Sequence, residues 1–300
     1  MNDKIGVIIY CYKRVKSLKN LLRDIDLALS KNPNNRLKFY FFIDGKKKTD
    51  NSKNSDLIKI EIDSFSKKYL SSITERSSNI GLSENIKSGI DYVIGFHDKF
   101  ISLEDDLRLS VNFFEFMVNS LDFYSSDSSI GSISGANYFN KSFPKDIIIS
   151  SYADCLGWGS WKDRWINQNR DLNSVINLIK NNKYEFNREN TYPYFRLLRR
   201  QKSINTSWAI IWYANNFLKK RFMIFSSTCL VSHRVYDTGT NYSNNLKVDP
   251  LNNKIDNDSL ICRPEPKNKL INGDKLLNEF YKTYDFGKFR RLLLKYGFYN

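Results

Sequence analysis

Four short apolar runs, each closed by polar residues and separated by apolar residues at helical spacing, dominate the first 107 residues and constrain the fold more than any other feature. Ile5-Gly-Val-Ile-Ile-Tyr-Cys is unbroken enough to be a strand buried on both faces, and Leu18, Leu21, Leu22, Ile25 and Leu29 then recur at the three-to-four residue spacing of an amphipathic helix. Leu37 to Ile43 repeats the strand signal and ends in Asp44-Gly45. The Lys-, Asn- and Ser-rich stretch from Lys46 to Ser55 reads as an exposed loop, with another helical pattern after it. Ser71 to Glu75 predicts a short third strand, and Leu82, Ile86, Ile90, Val93 and Ile94 predict a helix with Ser83 as N-cap. Phe100 to Leu103 is the fourth strand. This cadence, without internal repeats, predicts right-handed β-α-β crossovers and an α/β fold with a mixed, mostly parallel sheet flanked by helices.

In such sheets ligands gather at the carboxyl ends of the strands. Polar candidates fall at each of those ends: Tyr12, Lys13 and Arg14 after the first strand, Asp44 after the second, Arg76 to Asn79 after the third, and Glu104-Asp105-Asp106 after the fourth. Three consecutive carboxylates repel one another and resist burial unless a cation relieves them. Mg²⁺ or Mn²⁺ held by one or two carboxylates, with water and a diphosphate completing the shell, is the arrangement that suits phosphorylated substrates. A solvated acidic turn beside a helix start is the simpler reading of the triplet alone. Together the four strand ends describe a nucleotide pocket with a metal at its inner edge.

The formal charge of +15 calls for an acidic partner, and nucleotide phosphates, nucleic acid and anionic lipid all qualify. The basic residues are dispersed, and no helix-turn-helix spacing, zinc finger or RNP-type aromatic strand accompanies them, so a nucleic-acid partner is not expected. Cys11, Cys155, Cys229 and Cys262 are widely spaced with no Cys-x-x-Cys pair, which fits a reducing, cytoplasmic setting. No run approaches the roughly 18 apolar residues that would span a bilayer, and the N-terminal run lacks a signal-peptide layout.

Beyond Ser110 the character changes. Phe113, Phe114, Met117 and Leu121 predict a helix and Ile130 to Ile133 a strand; Trp-rich segments follow, Cys155-Leu-Gly-Trp-Gly-Ser-Trp-Lys-Asp-Arg-Trp165 and Ser207-Trp-Ala-Ile-Ile-Trp212. Indole rings serve sugar sites by stacking and serve cores equally well. Trp208 and Trp212, at i and i+4 on one helical face, read as core. The Gly157-Trp158-Gly159 stretch reads as a turn whose glycines allow close backbone approach at a site.

Taken together, these segments resemble the GT-A-fold nucleotide-sugar glycosyltransferases related to N-acetylglucosaminyltransferase I, including bacterial surface-polysaccharide transferases. The likeness runs from about Ile5 to Asn241 through Tyr12-Lys-Arg14, Phe-Ile-Asp44-Gly, Asn79-Ile-Gly-Leu-Ser, Leu-Glu104-Asp105-Asp106-Leu and Leu-Gly157-Trp-Gly-Ser-Trp. It implies a GT-A domain over residues 1–245, with a nucleotide-binding half over about 1–107 and an acceptor-side half over about 108–245. A linker and basic amphipathic extension would occupy 246–300.

The resemblance implies metal-dependent, inverting transfer of a sugar from a nucleotide-sugar, of UDP type, to a glycan or lipid-linked oligosaccharide acceptor in surface-polysaccharide synthesis. It would place Arg14 and Asp44 at the nucleotide, Asp44 on the base, with Tyr12 and Asn79 beside them. Asp106 would hold Mn²⁺ or Mg²⁺, assisted by Asp105, while Glu104 and Asp105 contact ribose and donor sugar. Gly157 and Trp158 would shape the donor-sugar and acceptor side. Relatives often carry an Asp just before the Ser-Trp-Ala segment, as a catalytic base. This chain has Asn205-Thr206 there, which leaves Asp163, Asp154 and Asp237 as replacement candidates. His233, or Asn241 in its stead, would complete the metal shell. The tail from Asn272, with Phe289-Arg-Arg-Leu-Leu-Leu-Lys-Tyr, suits either an anionic membrane surface at the inner face of the cell membrane or docking back onto the domain. The rival readings are a sugar-nucleotidyltransferase, whose Gly-rich loop is absent after the first strand, and a non-catalytic glycan-binding or scaffold protein on the same fold.

Overall fold

In the computed structural model, which describes residues 4–47, 54–137, 147–204, 207–234, 254–258 and 263–283, the four apolar runs are four parallel strands. The chain alternates β1 (Ile5–Cys11), α1 (Val15–Lys31), β2 (Leu37–Ile43), α2 (Asn54–Ser66), β3 (Ser71–Glu75), α3 (Leu82–Val93) and β4 (Lys99–Glu104). The strands lie in the order β3-β2-β1-β4, and their register sets Tyr10 beside Phe42 on one side and Glu104 on the other. Every residue of β1 is buried, which is why its sequence shows no polar alternation. The period-two alternation of facing is instead seen in what each residue meets. Phe39 packs edge-on against Phe65 of α2, whereas Tyr10 and Phe42 turn to the opposite face, beside α3.

Helix α3 starts two residues earlier than the sequence predicts. Gly81, at φ 79°, is its N-cap, and Ser83 lies inside the first turn with its hydroxyl buried and unpartnered. A positive φ at the cap suits glycine, and no side-chain capping bond is needed because the loop before α3 is tied elsewhere.

After β4 the chain forms β5 (Leu107–Leu109), α4 (Phe113–Phe123), β6 (Ile130–Ser134), β7 (Ile147–Ser150) and β8 (Trp158–Trp161). Five helices follow: α5 (Lys162–Ile166), α6 (Leu172–Ile179), α7 (Lys183–Phe186), α8 (Tyr194–Ile204) and α9 (Trp208–Leu218). β9 (Phe222–Ser226), β10 (Val231–His233), β11 (Ile271–Asn272) and α10 (Asp274–Thr283) complete the described elements. The main sheet runs β11-β7-β9-β6-β8-β4-β1-β2-β3, and β5 and β10 pair separately as a two-stranded antiparallel ribbon. Strand β8 is antiparallel to both β4 and β6, so the sheet is mixed and mostly parallel, as expected.

Gly157-Trp158-Gly159 is therefore not a turn at a ligand. Trp158 opens a fully buried central strand, with its ring 5.3 Å from those of Trp208 and Trp212 and 5.2 Å from Phe100. Gly159 faces the other side, where an added Cβ would come 2.7 Å from the Phe100 carbonyl and 3.0 Å from Met117 of α4. Trp158, Trp165, Trp208 and Trp212 form one aromatic core between β8 and α9, confirming the core reading of the last two.

Part of the expected C-terminal extension belongs to this sheet. Ile271 and Asn272 pair in parallel with β7, Gly273 donates to the Ile149 carbonyl, and Leu277 of α10 is fully buried. Asp274 accepts from Ser150 Oγ at 2.5 Å and from the Ser151 amide at 2.8 Å. The Phe289 to Tyr296 segment lies outside the described residues. Among those described, no helix is long and apolar enough to cross a membrane.

Candidate functional site

The acidic triplet sits where β4 leaves the main sheet. Glu104 ends the strand, Asp105 and Asp106 form the turn, and β5 departs to pair with β10. Asp105 is 1% exposed and Asp106 9%, so both carboxylates are held out of bulk water. Arg14, immediately before α1 at the end of β1, supplies the counter-charge. Its Nε lies 2.8 Å and its Nη2 2.5 Å from Asp105 Oδ1, while Nη1 lies 2.6 Å from Asp106 Oδ2. The Tyr12 amide donates to Asp105 Oδ2 at 3.2 Å. Burial works against the charge of Arg14, but the two aspartates outweigh it and raise its pKa.

The cluster remains short of positive charge. Burial and then Asp106 push Glu104 up to about 7, opposed by His233 and Arg14. Burial pushes Asp105 up to about 6, despite Arg14. Asp106 Oδ1 is buried with no hydrogen-bond partner. Hard oxygen donors, surplus negative charge and an orphaned buried oxygen fit a divalent cation that takes part of its shell from water and a phosphate. Among the described residues, however, no three His, Cys, Asp or Glu side chains already converge as a metal cage.

Asp44 departs from its expected part. Its Oδ1 accepts from the Gly45 and Ile80 amides, both at 2.9 Å; its Oδ2 accepts from Asn79 Nδ2 at 2.8 Å and the Gly81 amide at 3.1 Å. Four donors use the carboxylate's acceptor positions, so its work is to fold the 79–81 loop over the end of β2. Gly45 makes that approach possible, since a Cβ there would lie 2.2 Å from the Ser78 carbonyl carbon. Asn79 Nδ2 also donates to the Gly45 carbonyl at 2.9 Å. With acceptors at both Nδ2 contacts the amide orientation is fixed, and Oδ1 is left as an acceptor at the pocket.

Tyr10, Tyr12, Arg14, Asp44, Asn79 and Asp105 line a first pocket of about 190 Å³ over the ends of β1 and β2. Glu104 lines this pocket and also a second, of about 370 Å³, formed mostly by residues beyond Ser150. Asp154 and His233 line the second pocket with Tyr152, Tyr192, Tyr194 and Tyr213. His233 arrives there because β10 pairs with β5, which sets it opposite Leu107. Asp154 precedes β8, where its Oδ2 accepts from Ser134 Oγ at 3.3 Å and the Leu156 amide at 3.1 Å.

Three expected site residues are not brought there. Asp163 lies at the opposite edge of the sheet, since Trp161 pairs with Lys99 at the start of β4 and the Lys162 amide binds the Asp98 carbonyl. It forms a bidentate pair at 2.7 Å with Arg164, which binds the 125–127 carbonyls. Trp158 is core. Gly157 faces Val231 of β10, where a Cβ would come within 2.7 Å of a methyl, and its φ of 53° adds a second reason for glycine. Asp237, Asn241, Asn205 and Thr206 lie outside the described residues.

No protein-family profile matches the sequence, and no curated protein matches it. Among solved structures, the chain is similar to TarS 1-349 of S. aureus (12% identity, TM-score 0.45, covering 75% of this chain and 58% of that one). It is also similar to the mannosyltransferase PcManGT from Pyrobaculum calidifontis in complex with GDP-Man and Mn²⁺ (9% identity, TM-score 0.42, 72% and 69% covered). A UDP-glucose pyrophosphorylase complexed with UDP-glucose matches at 12% identity and TM-score 0.38, over 74% of this chain and 90% of that one. The chain thus spans little more than half of the TarS structure.

The tyrosine wall of the second pocket escaped the sequence reading. Tyr192 and Tyr194 have ring centroids 4.6 Å apart, and Tyr194 lies 5.6 Å from Tyr152 and 4.9 Å from Tyr213. The available signal was the run Thr191-Tyr-Pro-Tyr-Phe195, whose rings converge with Tyr152 and Tyr213 only through tertiary packing.

Proposed function

We propose that the chain is a metal-dependent GT-A-type glycosyltransferase that moves a sugar from a nucleoside-diphosphate sugar, of UDP type, to a glycan acceptor with inversion. The observation that carries this reading is the position of Glu104: this half-buried member of an under-neutralised acidic triplet forms a wall common to two pockets at the carboxyl ends of the parallel strands. Such a wall suits two substrates that must meet.

The nucleotide would occupy the first pocket. Asn79 Oδ1 would accept from a ring N–H of the base, as in uracil, held at its post by Asp44. Arg14 would turn from the aspartates to the diphosphate, for which its fork of N–H donors is suited. Asp106, with Asp105, would hold Mg²⁺ or Mn²⁺, and His233, which lines the second pocket with Glu104, would be the further ligand; the ion, when bound, would supply positive charge at the departing diphosphate.

In the second pocket Asp154, which among the described residues lines the same pocket as Glu104, would accept the proton of the attacking hydroxyl. The tyrosine rings would exclude water and stack on the acceptor sugar. Transfer to a surface-polysaccharide acceptor, including a lipid-linked one presented at a membrane face, is consistent with this division.

The direct test is nucleotide release from UDP-, GDP-, CMP- and TDP-sugars with Mn²⁺, with and without chelator, in the intact chain and Asp106→Asn. Metal-dependent release from one donor, lost in the variant, is expected. One observation favours a second reading, a non-catalytic glycan-binding protein: Arg14 already pairs with both aspartates. Saturable nucleotide binding unaffected by chelator, without turnover on any acceptor, would favour it.

A further inference from the structure

Helix α8 carries Arg196, Arg199, Arg200 and Lys202 and no acidic residue. These cations recur at i, i+3 and i+4, the spacings at which like charges on a helix repel one another. Arg199, Arg200 and Lys202 are exposed, and none of the three forms an ion pair among the described residues. Their concentration there is therefore not explained by ion pairing within the described residues. The same helix supplies Tyr194 and Leu197 to the wall of the second pocket, so its basic surface begins at that pocket's rim.

We infer that the second pocket and the outward face of α8 together bind an anionic glycan, one bearing carboxylate or phosphate groups along the chain, whose end sugar enters the tyrosine-lined pocket. This rests on the transferase reading and specifies the acceptor class for that site. The division of chemistry supports it: rings for the apolar face of a sugar inside, guanidinium forks for repeating anions outside. A membrane surface fits less well. Helices that lie in a bilayer interface present bulky apolar residues beside their cations, whereas the exposed positions of α8 are charged or polar except for Ile204.

Binding is read by fluorescence anisotropy with a labelled hyaluronan oligosaccharide, which bears a carboxylate on alternate sugars, and a neutral dextran oligosaccharide of equal length. The intact chain should bind hyaluronan and not dextran. Arg199→Gln/Arg200→Gln should weaken hyaluronan binding at least tenfold, while Arg23→Gln/Lys67→Gln, which removes the same charge from the α1 and α2 side, should change it less than twofold. Equal loss in both double variants, or no hyaluronan binding by the intact chain, overturns the proposal. So does tight binding to phosphatidylglycerol vesicles that the α8 variant abolishes while hyaluronan binding persists. Nucleotide binding is measured in the same samples: its absence sinks the transferase reading alone, whereas retained nucleotide binding with no polyanion binding sinks the acceptor class alone.

Discussion

A carboxylate can shape a site by what it gives up to the backbone, and Asp44 is such a case. Replacing it with Ala would orphan the amides of Gly45, Ile80 and Gly81 together with the Asn79 amide, three of them main-chain donors in a tight loop. Because each desolvated donor left unpaired is costly, Asp44→Ala should lose about 3 kcal/mol of stability in urea unfolding. Glu104 and Asp105 act differently, through titration. Their pKa values are raised in the fold, to about 7 and about 6, so the folded chain binds more protons than the unfolded chain from about pH 4 to 7. Their contribution is full below the unfolded values and is lost as pH rises through the folded ones. Buried His97, its pKa lowered by burial, works in the opposite sense and loses stability as pH falls through its unfolded value. Replacing Glu104 with Gln removes one of these slopes and leaves the other. Thermal melts from pH 5 to 8.5 should therefore show that Glu104→Gln gains stability relative to the intact chain as pH rises; a parallel pair of curves would contradict the assignment.

At the level of elements, β8 and β10 hold the two pockets together. Gly157, ahead of β8, packs against Val231 of β10, and β10 carries His233 toward Glu104. Gly157→Ala forces an added methyl into Val231 and a strained φ, which should cost about 1 to 3 kcal/mol in chemical denaturation. Trp158→Ala empties the middle of the indole cluster and should cost about 3 to 5 kcal/mol. The contrast between halves also explains what the sequence could convey. β1 to β4 were legible because each is a buried run closed by a polar stop, with an amphipathic helix between successive strands. β8 was not, since Trp-Gly-Ser-Trp has no alternation of its own: Gly159 and Trp161 face α4, where Trp161 Nε1 donates to the Leu121 carbonyl, and Trp158 turns to α9, a pattern that makes sense only once both helices are in place. β5 and β10, three residues each, are too short to carry a period. The triplet, Arg14 and Asn79 were visible as strand-end residues, but the saturation of Asp44 and the displacement of Asp163 follow from backbone geometry and strand direction.

Across the whole molecule, the sheet joins segments far apart in sequence, and its outermost strand at the end opposite β3 is β11. Removing residues from Ile271 onward would uncover β7, expose the contacts of Leu277 and leave Arg188 without Asn278, whose Oδ1 it binds at 3.0 Å. Such a truncation should lower the melting temperature and promote association, measured by thermal scanning and light scattering, because an uncovered edge strand offers unpaired amides and carbonyls to a neighbour. The timing of synthesis gives that edge a further meaning. A ribosome releases β7 more than 120 residues before β11, so the half beyond β4 emerges with that margin open, while the four parallel strands β1 to β4 all lie before residue 105 and can pair with one another at once. Vectorial folding from the N-terminus would thus assemble the four parallel strands first and leave the β7 margin exposed to mispairing until the strand that seals it arrives.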